Sequence, residues 1–296
     1  METLANVLVT GILLGGIYAL VSIGLNLIFG VIRIVNFAQG ELIMLGMYGA
    51  FLCYSLLGLD PYLSTLIVVP AMFVFGVIVQ RLVIQPLQAE SSMQIFATFG
   101  LLTILQNIVL VFTRGEGYSV TSKVASMGIS LGDIRITATR LIIFIAVSAI
   151  AVLLHWFLRH TLTGKSIRAV TQDRQAARLM GINVERTFMI TFGIGAALAG
   201  LAGVLMAPVY TLSPGIGGNF ILAAFAVVVL GGLGSVAGAW VGGMIVGIVE
   251  AFAGYYIDPE LKQAIWFLIF LAVLTVKPTG LFGQAGAEEV GFREQT

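Results

Sequence analysis

Eight apolar stretches run through this 296-residue chain, at roughly 7–30, 40–58, 62–84, 94–113, 140–158, 187–210, 220–256 and 262–282. Each approaches or exceeds the ~20 residues that a helix rising 1.5 Å per residue needs to cross about 30 Å of hydrocarbon. Only 15 Lys+Arg and 14 Asp+Glu are present, 10% of the chain, where a soluble domain carries about 25%. With 59% hydrophobic residues, too little polar surface is left to cover a water-soluble body. The chain therefore reads as an all-α polytopic membrane protein of about 8–9 transmembrane segments embedded in lipid, and a soluble enzyme is excluded. A net charge of +1 leaves no basic face to neutralise phosphates, so nucleic acid is excluded as a partner. The single cysteine, Cys53, rules out a disulfide framework or a Cys-based zinc site and reads as a small buried hydrophobe.

The seventh stretch is too long for one crossing. Its centre, Gly231-Gly232-Leu233-Gly234-Ser235-Val236-Ala237-Gly238, suits a helix break and divides it into two shorter spans. That gives nine segments with some crossings short, or eight if the first half only dips in and returns. The first span follows Met1-Glu2-Thr3, which lacks the positive charge of a signal sequence, and is expected to be permanent. Lys and Arg collect most densely between spans five and six, at Arg159, Lys165, Arg168, Arg174, Arg178 and Arg186, which places that loop in the cytoplasm. Arg33 and Arg81 then also fall inside, and Asp60, Glu116, Asp133, Asp258 and Glu260 outside. The 114–139 connection fits poorly, because it also carries Arg114 and Lys123. One domain is expected over 1–296, with the cytoplasmic loop at about 159–186 and a tail at about 283–296.

Glycine is over-represented, 36 residues, and many sit at helix-packing spacing: Gly11 with Gly15, Gly238 with Gly242, Gly243 with Gly247, Ala196 with Gly200 and Ala199 with Gly203. Such residues let backbones approach where lipid offers no hydrophobic drive between helices. Ionisable groups inside spans are expensive there and few. Glu41 lies in a first helical turn, where free N–H groups favour a carboxylate. Glu250 has no such explanation and is expected to face a partner helix, a polar side chain or a water-filled cavity. Asn26, Gln106 and Asn107 are expected to bond between helices. His155 and His160 lack the spacing of a metal pair, and no metal site is expected. Gly164-Lys165-Ser166 lacks the upstream glycine of a phosphate-binding loop, and no catalytic residues are identified.

Within the basic loop, Asp173 is a good N-cap and Gly181 a good residue to follow a helix end, bracketing about two turns. Arg174 and Arg178 share one face, and Ala176, Ala177, Leu179 and Met180 supply a small apolar surface. So short a helix needs support from lipid head groups or from a groove on a soluble partner.

The run Gly164-Lys165-Ser166-Ile167-Arg168-Ala169-Val170, then Asp173, then Ala176-Ala177-x3-Gly181-Ile182-Asn183, resembles the cytoplasmic loop of permeases of branched-chain amino acid ABC transporters. Three further segments match that family in order: Gly24-Leu25-Asn26 to Gly30 with Asn36-Phe37-Ala38-Gln39-Gly40-Glu41; Val229-Leu230-Gly231-Gly232-Leu233-Gly234-Ser235; and Lys277-Pro278-Thr279-Gly280-Leu281-Phe282-Gly283. The likeness covers nearly the whole chain and is greatest to the first permease of the leucine/isoleucine/valine system. Gln175 stands where the importer signature has an acidic residue, and its distal Ile-x-Leu-Pro element is absent. The resemblance implies a bacterial inner-membrane permease working with a second homologous permease, two ATP-binding-cassette subunits and a periplasmic solute-binding protein. ATP and magnesium would be held by those ATPase subunits, and this chain would bind no cofactor. Arg168 and the segment Asp173–Gly181 would form the coupling element, whose displacement tilts spans five and six. Asn26, Asn36, Gln39, Glu41, Gly231, Gly232, Gly234 and Glu250 are the candidate pathway residues. Urea or short-chain amides are an alternative cargo. A stand-alone secondary transporter or channel, using Glu250 or Glu41 as a proton-titrating group, and a scaffold subunit are the competing classes.

Overall fold

The computed structural model describes residues 2–87, 91–122, 128–131, 134–258, 260–277 and 279–283. Eleven α-helices are found among them: α1 Glu2–Ile32, α2 Gln39–Leu57, α3 Thr65–Val79, α4 Ser91–Thr113, α5 Ala138–His160, α6 Leu162–Gln172, α7 Arg174–Leu179, α8 Val184–Met206, α9 Ile216–Gly231, α10 Val236–Tyr256 and α11 Lys262–Val276. Seven are long and apolar enough to span a membrane. With the two shorter apolar helices, α9 and α11, they make the nine segments expected from splitting the 220–256 stretch at its glycines. The chain is a multi-pass membrane protein.

Several boundaries differ from expectation. The third span runs on from α3 through a π turn, Gln80–Ile84, and a 3-10 turn, Gln85–Leu87. The sixth stops at Met206 and the last at Val276, because apolar composition continues past the point where helical hydrogen bonding ends. The all-α expectation holds for the membrane body, but the connection before α5 contains a two-stranded antiparallel hairpin, β1 Gly128–Leu131 and β2 Ile134–Thr137. Lys123, Asp133 and the tail from residue 284 lie outside the described residues.

Loop contacts sort the helix ends into two groups. At one end Arg33 donates to Thr171 O, Arg174 to Ile32 O, and Gln85 to Glu185. At the other, Ser122 donates to Asp60, Tyr54 meets Thr121, and Tyr118 exchanges backbone bonds with Leu212. The first end carries the basic loop and the second the acidic turns, the separation expected from the charge bias.

α1 is apolar on all sides and sits in the middle, against α5, α8, α9 and α10, as a helix without a polar face must. The glycine pairs explain how. The Gly11/Gly15 face of α1 meets the Gly243/Gly247 face of α10: a Cβ on Gly15 would lie 2.7 Å from Met244 Cα, and one on Gly243 2.5 Å from the Ala19 amide nitrogen. α8 does the same on its other side, with Gly200 and Gly203 against Gly46 of α2, and Ala196 against Gly76 of α3. Cys53 is buried in the same core.

Two helices begin inside the body. α2 starts beside α1, where a Cβ on Gly24 would stand 3.0 Å from Gln39 Nε2. Gly24 lies eight residues before Ile32, so the start of α2 is about 12 Å inward from the basic end of α1. Residues 33–38 are non-helical and lead back in from that end. α9 has 16 residues, about 24 Å, which is short of a crossing. Its C-terminus is at the basic end and its N-terminus stops within the body, entered by the non-helical segment from Tyr210, in which Leu212 is fully buried.

Candidate functional site

The basic loop folds into two helices built on three caps. Thr161 Oγ1 accepts from Gly164 N at 3.0 Å and starts α6. Gly164, Ile167 and Val170 make its buried face. Asp173 Oδ1 accepts from Gln175 N at 2.8 Å and Ala176 N at 2.9 Å and starts α7. Asn183 Oδ1 accepts from Arg186 N at 2.8 Å and starts α8. Gly181 ends α7 with φ +80°, a left-handed conformation that suits glycine. α6 was not foreseen. Its signals were Thr161 as a cap and the apolar spacing of Ile167 and Val170.

The α7 residues do not share one fate. Leu179 is 88% and Met180 81% exposed, whereas Ala177 is 4% exposed and packs into the chain's own core. Arg168, Ala176, Arg178 and Gly181 are exposed. Arg174 turns inward, donating to Ile32 O at 2.7 Å and lying 5.1 Å over the Phe188 ring. The surface open to another protein is thus a Leu179–Met180 knob flanked by Ala176 and Arg178.

The candidate pathway residues fall into three places. Asn36, Gln39 and Glu41 gather at the buried start of α2. Asn36 Oδ1 accepts from Ala38 N at 3.1 Å, and Asn36 Nδ2 donates to Gln39 Oε1 at 3.3 Å. Gln39 Nε2 and Glu41 Oε2 are buried without a hydrogen-bond partner. The start of α9 meets this point directly, for a Cβ on Gly217 would lie 2.6 Å from the Gly40 carbonyl carbon. Neither helix has a side-chain bond from its N-cap residue; Ala38 N and Gln39 N reach back to Asn36, and Ile216 N and Gly218 N to Ser213 O and Gly215 O, and the two N-termini approach each other. Sequence reading missed the surrounding residues. Thr98 of α4 donates to Val35 O and accepts from Phe37 N, and Phe37 packs on Phe99 at 4.3 Å and Phe225 at 5.3 Å.

The second place is the turn between α9 and α10. Asn26 braces it from α1, donating to Ser235 O at 2.7 Å and Gly232 O at 3.3 Å and accepting from Gly234 N. Gly232 and Gly234 have φ +106° and +82°. The C-terminal segment closes the same turn, with Leu281 N and Phe282 N donating to Leu230 O and Gly231 O at 2.9 and 3.0 Å. Asn26 here bonds between helices, as its position suggested. Asn107 does not: it donates to Thr103 O one turn back on its own helix.

Glu250 is the third place, on the seam of α1, α10 and α11. Tyr18 Oη donates to it from α1, and Lys262 Nζ pairs with it at 3.2 Å from α11. Lys262 is 41% exposed, so solvent screens the pair and Lys262→Ala is expected to cost about 1–2 kcal/mol rather than the 3–5 of a fully buried pair. Adding Glu250→Gln should recover most of it in thermal unfolding in detergent; a double variant no more stable than the single would show that the pair does not hold α11. Two open apolar grooves run along α10, one near Thr10 and Tyr255 and one near Phe252 and Ile265, and none of the candidate residues lines either.

Residues 7–274 match the family model for the permease component of branched-chain amino acid transport systems. The chain is 32% identical over 295 residues to the high-affinity branched-chain amino acid transport system permease protein LivH of Salmonella typhimurium, covering 95% of this chain and 96% of that one. It is 32% identical to the corresponding protein BraD of Pseudomonas aeruginosa, with 96% and 97% covered. It is 30% identical to the probable LivH of Methanocaldococcus jannaschii, with 92% and 90% covered. No solved structure matches.

Proposed function

The chain belongs to the family of permease components of branched-chain amino acid transport systems, and from that premise we propose that it is a membrane subunit of an ATP-driven importer for branched-chain amino acids. It sits in the bacterial cytoplasmic membrane beside a second homologous permease. Two ATPase subunits, which hold ATP and magnesium, dock on its basic end, and a periplasmic binding protein delivers solute to the other.

One observation carries this reading: α7 presents Leu179 and Met180 clear of the body, 88% and 81% exposed, at the end that bears the basic loop. Large apolar side chains on a short, well-capped helix in water are a feature of a surface awaiting a protein groove. The amino acid passes where α2 and α9 begin. Helix N-termini favour the α-carboxylate, and helices interrupted at mid-depth bring such ends to a solute in many transporters. Phe37, Phe99 and Phe225 line an apolar side, and the scarcity of fixed charge keeps binding weak enough for release. With Gly40 and Gly217 in backbone contact, the route is shut in this conformation.

Leu179→Asp combined with Met180→Asp replaces two exposed side chains and leaves the chain's own packing intact. Loss of an apolar interface anchor of this kind is expected to weaken ATPase-subunit association by about 30-fold, with uptake falling in step. Co-purification with the ATPase subunits and vesicle uptake measure it; wild-type values for both would defeat the docking assignment.

A further inference from the structure

At the basic end two arginines make a reciprocal contact. Arg174, the first residue of α7, donates through Nη2 to Ile32 O, the last carbonyl of α1, at 2.7 Å. Arg33, the residue after α1, donates through Nη2 to Thr171 O, near the end of α6, at 3.4 Å. Arg174 therefore serves the C-terminus of α1, and Arg33 that of α6, the helix directly before α7; at such ends unpaired carbonyls and the helix dipole attract a cation. Phe188 of α8 backs Arg174 with its ring face. Arg33 is held at φ +59°, a left-handed conformation that a non-glycine residue adopts at an energetic penalty and keeps only where its surroundings enforce it.

The segment beyond Arg33 gives this contact a destination. Residues 33–38 are non-helical and end at the buried start of α2. They carry Asn36, which holds Ala38 and Gln39, and Val35 and Phe37, which are tied to Thr98 of α4. Six residues therefore separate the α7 contact from the meeting of α2 and α9. The covalent route through α5 and α8 reaches the same point only by moving whole spans.

We infer that Arg33 and Arg174 form a clasp that delivers displacement of α7 to the 33–38 segment and so to the start of α2. They are positioning residues, touching neither solute nor nucleotide. The inference rests on the proposed importer function and assigns the path its force takes.

The test uses the complex assembled with its cognate ATPase subunits in nanodiscs and vesicles. Arg174→Ala, Arg33→Gly and the double variant are compared for solute moved per ATP hydrolysed and for amide exchange across 33–39 with and without nucleotide. Arg33→Gly is informative because glycine adopts φ +59° freely, so a purely conformational role is retained while the guanidinium is lost. Each single variant is expected to lower transport per ATP about tenfold, the weight of one hydrogen bond to a charged group. The double variant should fall no further than either single, and the nucleotide-dependent change in exchange should vanish. Wild-type stoichiometry in Arg33→Gly, or losses that multiply in the double variant, would overturn the clasp, as would failure of Arg174→Ala to bind the ATPase subunits, since Arg174 would then be a docking residue. Should wild-type complex show no ATP-linked transport, the importer reading fails instead. The clasp is then judged on the full-length chain alone, where Arg174→Ala must raise exchange across 33–39, and unchanged exchange sinks it.

Discussion

Gly247→Leu is expected to remove the protein from the folded fraction. A side chain at this position would press into the backbone of Gly15 and Gly11 rather than against any rotatable group. Overpacking that a rotamer change cannot relieve costs about 3 kcal/mol or more, a large share of the stability of a single domain. Gly254, two turns along the same helix, is the control: a Cβ there meets only the Lys262 side chain, at 3.9 Å. Gly254→Ala should leave detergent-extracted yield and gel-filtration profile unchanged, while Gly247→Leu aggregates or is degraded. A well-behaved, transport-competent Gly247→Leu would mean that α1 and α10 do not pack as described.

Asn26→Leu is expected to cost about 2 kcal/mol, because it leaves Gly234 N without its acceptor and takes one of two donors from Gly232 O and Ser235 O, which keep Ser235 N and Ala239 N. The bond to Gly232 O is buried and the other two are part-buried, and a polar group left unpaired away from water costs about 1–3 kcal/mol. Asn26→Asp keeps the acceptor for Gly234 N but loses the donor, and should fall between the two. Thermal unfolding in detergent reads the order wild type, Asp, Leu. Equal stability of Asn26→Leu and wild type would mean that the turn is held by the C-terminal segment alone.

The spans were legible because lipid demands that backbone groups be satisfied within each helix, so an apolar run of the right length is itself the signal. The glycine pairs were legible as packing faces, but nothing local told Gly11 and Gly15 that their counterpart was Gly243 and Gly247; pairing between distant helices leaves no mark within either one. Asp173 and Gly181 announced α7, since a cap is a property of a few adjacent residues. The inward turn of Arg174 could not be read, because its acceptor is a carbonyl of Ile32, far along the chain. Asn36, Gln39 and Glu41 were marked by polarity within apolar surroundings. Phe37, Phe99 and Phe225 were not, since an aromatic residue in a membrane helix is ordinary. The π turn after α3 arises from tertiary context; the hairpin before α5 was missed although the sequence carries it, in Ile129-Ser130-Leu131 and Ile134-Arg135-Ile136 alternating on either side of Gly132-Asp133.

The pairing of α1 with α10 sets an order on biosynthesis. Tyr18 and Glu250, which meet across that seam, are 232 residues apart in the chain. At roughly 5–20 residues per second, α1 waits about 10–50 s on the ribosome before its counterpart is made. During that interval its glycine face must be shielded by lipid, by the insertion machinery or by α8, and the bundle can lock only once α10 has been made.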